Sequence, residues 1–219
     1  MGEQTNAVVL FSGGHARPST RAALAEFLWG LPWLQVTITD DWDALRWERL
    51  APYDLLVTYT GGRDHACTPE QLAGVTRFVE RGGGFAPLHF TTMNGNAEFL
   101  ALVGAKFVKH PPHGPFTVRV ADPDHPITQG LPTIEIEDEC YQSEYPDRAA
   151  LRVLQTSHHT AGIDGEPSSW VREIGRGRLF YSALGHDARS FAHPQLRELL
   201  NRGLRWAAGL TPVQTGQDD

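Results

Sequence analysis

Histidine is where this sequence concentrates its chemistry. The 219-residue chain carries ten. Three of them close apolar or glycine-rich runs: His15 after Phe11-Ser12-Gly13-Gly14, His89 after Gly84-Phe85-Ala86-Pro87-Leu88, and His186 after Leu184-Gly185. Asp138-Glu139 ends another such run. An imidazole exchanges protons near neutral pH without large tuning, and a buried glutamate can be raised toward the same range. Three imidazoles with a carboxylate are also a ligand set for zinc or a similar divalent ion. The residues lie far apart in sequence and lack HExxH spacing, so acid–base and metal-assisted chemistry both stay open.

Taken singly, each of these residues has an ordinary reading. A histidine after a strand is more often structural than catalytic, and His125 before Pro126 reads as a turn residue. His158-His159 reads as part of a surface loop. Their coincidence at one edge points to a site, because ligands of open α/β sheets bind beyond the carboxyl ends of the strands. There the strand ends deliver His15, His89, Glu139 and His186, with Gly14, Thr60 and Gly61 as substrate-pocket walls. His110 sits in a proline loop that can border the pocket, and His113 shares that loop. Trp170 offers an apolar face for a sugar ring, with core packing as its plain alternative.

The elements that must position these residues follow from periodicity. Ala7–Phe11 is a continuous apolar run, as expected of a strand buried on both faces. Strands are also expected at Leu34–Thr39, Asp54–Tyr59 and Gly84–Leu88. A helix capped by Ser19 or Thr20 presents Leu24, Phe27, Leu28 and Leu31, and a short helix falls near Asp43–Leu50. Thr68–Arg81 has a Thr68/Gln71 capping box, Pro69 at the first position and Gly82 as a stop. Beyond Phe116 the texture turns to short strands: Thr117–Val120, Thr133–Glu137, Leu151–Gln155, and a Trp170–Ile174/Arg178–Leu184 hairpin about Gly175-Arg176-Gly177. A helix over Pro194–Ala208 closes the chain. The alternation predicts a parallel α/β sheet with a β-rich C-terminal extension, as an insertion or as added antiparallel strands. Residues 1–209 read as one domain, and 210–219 as a loose tail.

Composition excludes other classes. Apolar residues are 41% and charged residues 21%, ordinary globular values. A net charge of −7 argues against binding a phosphate backbone, and no apolar run is long enough to span a membrane. Seventeen of the nineteen basic residues are arginine, which reads as genome composition. No G-x-S-x-G elbow, GxGxxG or P-loop is present. Cys67 and Cys140 stand alone, without activating neighbours, which disfavours thiol catalysis and suits a reducing cytoplasm.

Four stretches together carry a resemblance. They are Gly82-Gly83-Gly84-Phe85-Ala86-Pro87-Leu88-His89, His125-Pro126-Ile127-Thr128-Gln129-Gly130-Leu131, Asp138-Glu139-Cys140-Tyr141, and Gly175 through Tyr181 running on to Leu184-Gly185-His186-Asp187. In order and spacing, from about Ala7 to Gly209, they resemble the ThuA-like (trehalose utilisation) family. The resemblance implies a flavodoxin-like, class I glutamine amidotransferase-like three-layer sandwich with histidine where amidotransferases keep cysteine. It implies disaccharide or keto-sugar utilisation, with a small carbohydrate as partner. On matching positions the site would be His15, His89, Glu139 and His186, with Tyr141 and Asp187 close by. The chain departs from the family at Arg17-Pro18, where members often place a second histidine, and at Pro87 and Phe90.

Two functions are therefore expected. One is an enzyme acting on a disaccharide or its keto form, with a metal at His15, His89 and His186 as one option and no cofactor as the other. The alternative is a non-catalytic sugar- or metal-binding protein. Glutamine hydrolysis would need a thiol where His89 stands. No nucleic-acid or membrane partner is expected, and self-association is open, since such folds often pair.

Overall fold

A computed structural model of the chain describes residues 4–14, 16–62 and 66–211. His15 and the tail from residue 212 therefore lie outside the described residues. In chain order the elements are β1 (Thr5–Gly13), α1 (Pro18–Trp29), β2 (Leu34–Thr39), α2 (Trp47–Leu50), β3 (Leu55–Gly61), α3 (Pro69–Glu80) and β4 (Gly84–Pro87). Next come α4 (Ala97–Val103), β5 (Lys106–Lys109), β6 (Gly114–Val120), β7 (Ile134–Asp138), β8 (Gln142–Glu144) and β9 (Arg152–His159). The chain ends with β10 (Ile163–Ile174), β11 (Gly177–Ser182), α5 (Ala188–Ala192) and α6 (Pro194–Ala207).

Among the described residues, nine strands form one sheet in the order β2-β1-β3-β4-β11-β10-β9-β6-β7. From β2 to β11 the neighbours are parallel, in the 2-1-3-4-5 order of flavodoxin-like folds. From β11 to β7 they are antiparallel. The β-rich region is thus an extension of the same sheet. A separate ribbon pairs β5 with β8.

Alternation along β1 explains the layers. Ala7, Val9 and Phe11 face one core with Leu24, Phe27 and Leu28 of α1 and Leu196, Leu199, Leu200 and Leu204 of α6. Val8 and Leu10 face the other, with Val75, Phe78 and Val79 of α3 and Phe99 and Val103 of α4. Both faces of the strand are buried, so the run reads as continuously apolar.

The Thr68/Gln71 capping box forms as expected, and β10 and β11 make the expected hairpin, where Gly175 takes a φ of 61°. Other details differ. Helix α1 begins at Pro18, and Arg17 rather than Ser19 or Thr20 is its N-cap. The 43–50 region splits into a 3₁₀ turn, Trp42–Leu45, capped by Asp41, and then α2. His158 and His159 belong to β9 rather than to a loop. Trp170 is corrected from sugar platform to core: it is 1% exposed, its indole N–H donates to the Val103 carbonyl at 3.0 Å, and its ring stacks on Tyr181.

His125 is a buried structural residue of the first core. Its Nδ1 accepts the Ile127 N–H at 3.2 Å, and its ring packs edge-on against Trp206. The buried Arg202 holds the same loop, donating to the Ile127 and Gln129 carbonyls. Burial, reinforced by the Arg152 charge, pushes His125 from 6.5 down to about 4. The unfolded chain therefore takes up this proton first as pH falls. Stability should drop between pH 6.5 and 4 by roughly 3 kcal/mol more in the native protein than in His125→Asn. Urea titrations across that range check this; parallel pH profiles would contradict it.

Candidate functional site

The site is built from strand ends. The chain leaves β4 at Pro87 and turns at once into a 3₁₀ segment, His89–Met93. His89 has φ 45°, the one positive φ among described non-glycine residues. A non-glycine residue in this region costs of order 1–3 kcal/mol, and such strain persists only where neighbours enforce it. Here they do. The Tyr181 hydroxyl donates to the His89 carbonyl at 2.8 Å, and Thr91 Oγ1 donates to the Leu88 and Thr58 carbonyls. A Cβ on Gly61 would run into the Phe90 carbonyl, so only glycine lets β3 approach this turn.

The His89 ring is fixed at both nitrogens. Nδ1 lies 2.7 Å from the Ala183 carbonyl, which can only accept, so Nδ1 carries a proton. That leaves Nε2 with its lone pair in the neutral ring, 3.0 Å from the Tyr141 hydroxyl. Tyr141 also stacks on the imidazole at 4.6 Å. Burial raises the Tyr141 hydroxyl well above its ordinary range, so it remains a proton donor.

Glu139 arrives from the far edge of the sheet. It follows β7, the last strand in the order, and its neighbour Asp138 ties that end back to the centre. The buried Asp138 carboxylate accepts the Gly185 N–H at 2.8 Å, the His186 N–H at 3.3 Å and the Glu139 N–H at 2.7 Å. The Tyr59 hydroxyl secures the same turn by donating to the Gly185 and His186 carbonyls.

These tethers bring Glu139 Oε2 within 3.1 Å of His186 Nδ1 and 3.4 Å of His89 Nε2. Its other oxygen, Oε1, lies 3.5 Å from His110 Nε2. Burial raises the Glu139 carboxyl, but the two imidazoles on Oε2 outweigh it and hold the group well below the usual carboxylate range. Reciprocally, the hydrogen-bonding and charge of Glu139 raise His186 against its own burial. His113 places its ring 5.2 Å from that of His186.

The donor set fits a divalent cation. One ligand atom each from His89, Glu139 and His186 lies within 4.8 Å of the others. Glu139 Oε2 is buried, with two imidazole nitrogens crowding it. Separations of 3.1 and 3.4 Å match the edge of a tetrahedron with bonds of about 2.0–2.1 Å. Compared with the sequence reading, Glu139 joins His89 and His186 in the cluster.

Other expected residues fall around this centre in different roles. Thr60 and Gly61 pack against Thr91 and Phe90, supporting the His89 turn. Gly14 is exposed. Asp187 caps α5 by accepting the Arg189 and Ser190 N–H groups, and these bonds with the Arg189 charge keep it ionised despite partial burial. Asp138 as tether, Tyr59 as clamp and the Ala183 carbonyl as tautomer lock were not singled out from the sequence. No local motif marks such contacts, which span up to 127 positions in the chain.

A family model described as ThuA, trehalose utilisation, matches residues 7–207. Among solved structures, a ThuA-like protein of Parabacteroides merdae superposes with a TM-score of 0.82 at 19% identity, covering 99% of this chain and 94% of that one. A ThuA-like protein of Bacteroides uniformis gives 0.79 at 20% identity, covering 94% and 91%. A β-galactosidase of Bacillus circulans gives 0.63 at 16%, covering 95% of this chain but 32% of that one. No curated protein matches. These likenesses establish the α/β, flavodoxin-like fold.

The coupling of His186 to Glu139 is directly measurable. With metal removed by a chelator, the His186 imidazole should titrate above 6.5 by NMR, and lower in Glu139→Gln than in the native protein. A raised folded pKa contributes stability below the unfolded pKa and loses it as pH rises through the folded one. The stability difference between the two proteins should therefore be larger at pH 6 than at pH 9. Equal His186 titration in both would contradict the pairing.

Proposed function

The chain belongs to the ThuA (trehalose utilisation) family, and from that premise we propose that it is an enzyme of sugar utilisation acting on a disaccharide or keto-sugar. The observation that carries the reading is the buried Glu139 Oε2 held between His89 Nε2 and His186 Nδ1. The strained turn at His89 supports it, because strain of this kind collects at functional sites. An amidotransferase-like elbow would place its cysteine at this turn; a histidine there redirects the chemistry from acyl transfer to proton transfer and metal-assisted catalysis.

His89, Glu139 and His186 would hold a divalent ion such as zinc. Bound there, the ion would polarise a carbonyl or hydroxyl oxygen and lower the pKa of water. The remaining groups are arranged for proton movement. Nδ1 of His110 lies 2.6 Å from the Pro111 carbonyl, while Nε2 faces Glu139 Oε1. The Pro111 carbonyl can only accept, so Nδ1 carries a proton and Nε2 is the nitrogen turned toward the cluster. Its side chain is 28% exposed, which connects the cluster to solvent. Tyr141 keeps its proton and orients the His89 ring. Such a set suits proton transfer beside a carbonyl, leading to isomerisation or elimination.

No helix among the described residues is long and apolar enough to cross a membrane. Cys67 and Cys140 are buried and free, with burial pushing them to about 12 and about 11, and this inert pair supports a reducing, cytoplasmic setting.

Purified protein should contain about one divalent ion per chain by elemental analysis and should turn over trehalose or a 3-keto-disaccharide. His89→Ala and Glu139→Gln should each lose the ion and lower turnover by about 10²- to 10⁴-fold. Turnover untouched in both variants would overturn this assignment. Carbohydrate binding without turnover in the native protein would establish a non-catalytic binding protein instead.

A further inference from the structure

The two edges of the nine-stranded sheet are finished differently. At β7 the edge is guarded. Glu135 and Glu137 are exposed along it, the Glu135 carbonyl accepts from His193 Nε2 at 3.1 Å, and Arg189 of α5 reaches Glu137. Charges along an edge strand and cover over its backbone are how folded proteins keep sheet edges from pairing. β2, at the other edge, has neither. It runs Leu34-Gln35-Val36-Thr37-Ile38-Thr39, without charge, proline or bulge, in unbroken register with β1, its one partner among the described strands.

Beside this bare edge lies an uncovered apolar face. Trp29 is 66% exposed, and with Pro18, Arg21, Ala22 and Ala25 of α1 and Ile38 of β2 it lines a groove of about 470 Å³. Positions 18, 22, 25 and 29 recur at helical spacing, so they form one stripe along α1. Ile38 shares the groove, which places the stripe on the β2 side of the helix. Val36 and Ile38 pack only partly against the first core.

The surface is complementary to itself under a twofold rotation. Antiparallel pairing of β2 with β2 of a second copy sets residues of the same face opposite each other. Val36 and Ile38 then meet their counterparts on the α1 side, and Gln35 and Thr37 meet on the other. The same rotation runs α1 antiparallel to its counterpart. Positions 18 and 29 lie equally far from the middle of the stripe, as do 22 and 25. Trp29 of each copy therefore covers Pro18 of the other beside the Arg21 guanidinium, and the alanines let the helices close.

Charge agrees with this arrangement. The exposed Asp40 follows β2 at one end, and the Arg205 guanidinium lies 5.4 Å from the Trp33 ring just before the other. An antiparallel pair brings Asp40 of each copy to the Arg205 end of the other, so the opposite charges meet twice. We propose that β2 and α1 form the interface of a symmetric dimer, in which two copies of this chain join their sheets edge to edge. The dimer does not depend on the chemistry at Glu139.

Sedimentation velocity of the full chain over a range of concentrations should show a reversible monomer–dimer equilibrium. Trp29→Ser and Thr37→Lys, both at exposed positions, should each weaken it by about tenfold or more. Asp40→Arg should weaken it about threefold or more by bringing cations together, and adding Arg205→Glu should restore it. Hydrogen exchange of the native chain gives a second reading without substitutions: β2 amides should exchange more slowly as concentration rises, while β7 amides stay unchanged. A monomer at every concentration would overturn the proposal. So would a dimer that leaves β2 exchange unchanged, or one that the Trp29 and Thr37 variants form as tightly as the native chain.

Discussion

Two adjacent carboxylates at the end of one edge strand hold the centre of this protein together. Asp138 accepts three backbone N–H groups, two of them from the turn that follows β11. Charge-assisted bonds of this kind are roughly twice as strong as neutral ones, and these cross between opposite ends of the antiparallel half of the sheet. Glu139 then faces inward because Asp138 is spent on the backbone. Its carboxylate meets His89 and His186 on one oxygen and His110 on the other. Removing a single charge from such a buried group would leave the imidazoles without their common partner, which is costly in a low-dielectric site. The division of labour, one carboxylate for architecture and the next for chemistry, needs only a change of direction between consecutive residues.

The parallel half of the sheet supplies the opposing wall. Its 2-1-3-4-5 order places the ends of β3, β4 and β11 side by side, and β4 ends in a turn that only strong local contacts hold in place. Gly13, at φ 106°, packs against the Gly61 carbonyl, and Gly61 in turn admits the Phe90 carbonyl. A column of glycine-permitted backbone contacts therefore runs from β1 to the His89 turn. Strain at His89 and freedom at these glycines are two sides of one design: close backbone approach presents the imidazole inward with its Nδ1 proton committed to Ala183.

Much of this was legible in the sequence, because the strongest elements obey local rules. The apolar run of β1, the capping box of α3 and the hairpin about Gly175 each appear where periodicity and turn chemistry put them. His89, Glu139 and His186 were legible as strand-end residues because strand ends of α/β sheets share an edge. Short elements were not: α4, α5, β5 and β8 run three to seven residues and owe their form to packing, α4 and β5 against the His89 turn, β8 against β5, and α5 against α1 and α6. Trp170 misled because an indole between Ser169 and a strand reads equally well as platform or core, and only the Val103 carbonyl behind it decides. The return of β7's end to the centre was illegible for a deeper reason. It depends on pairing between residues 47 and 48 positions apart, which no local pattern encodes.

The proposed chemistry requires His89, Glu139 and His186 to converge on a single point. A crystal of the full chain grown with zinc and measured at the zinc absorption edge tests this most directly. One strong anomalous peak should appear about 2.0–2.2 Å from His89 Nε2, Glu139 Oε2 and His186 Nδ1 together. Peaks only at surface groups such as His158 and Asp164, with the space between those three atoms dark, would contradict it.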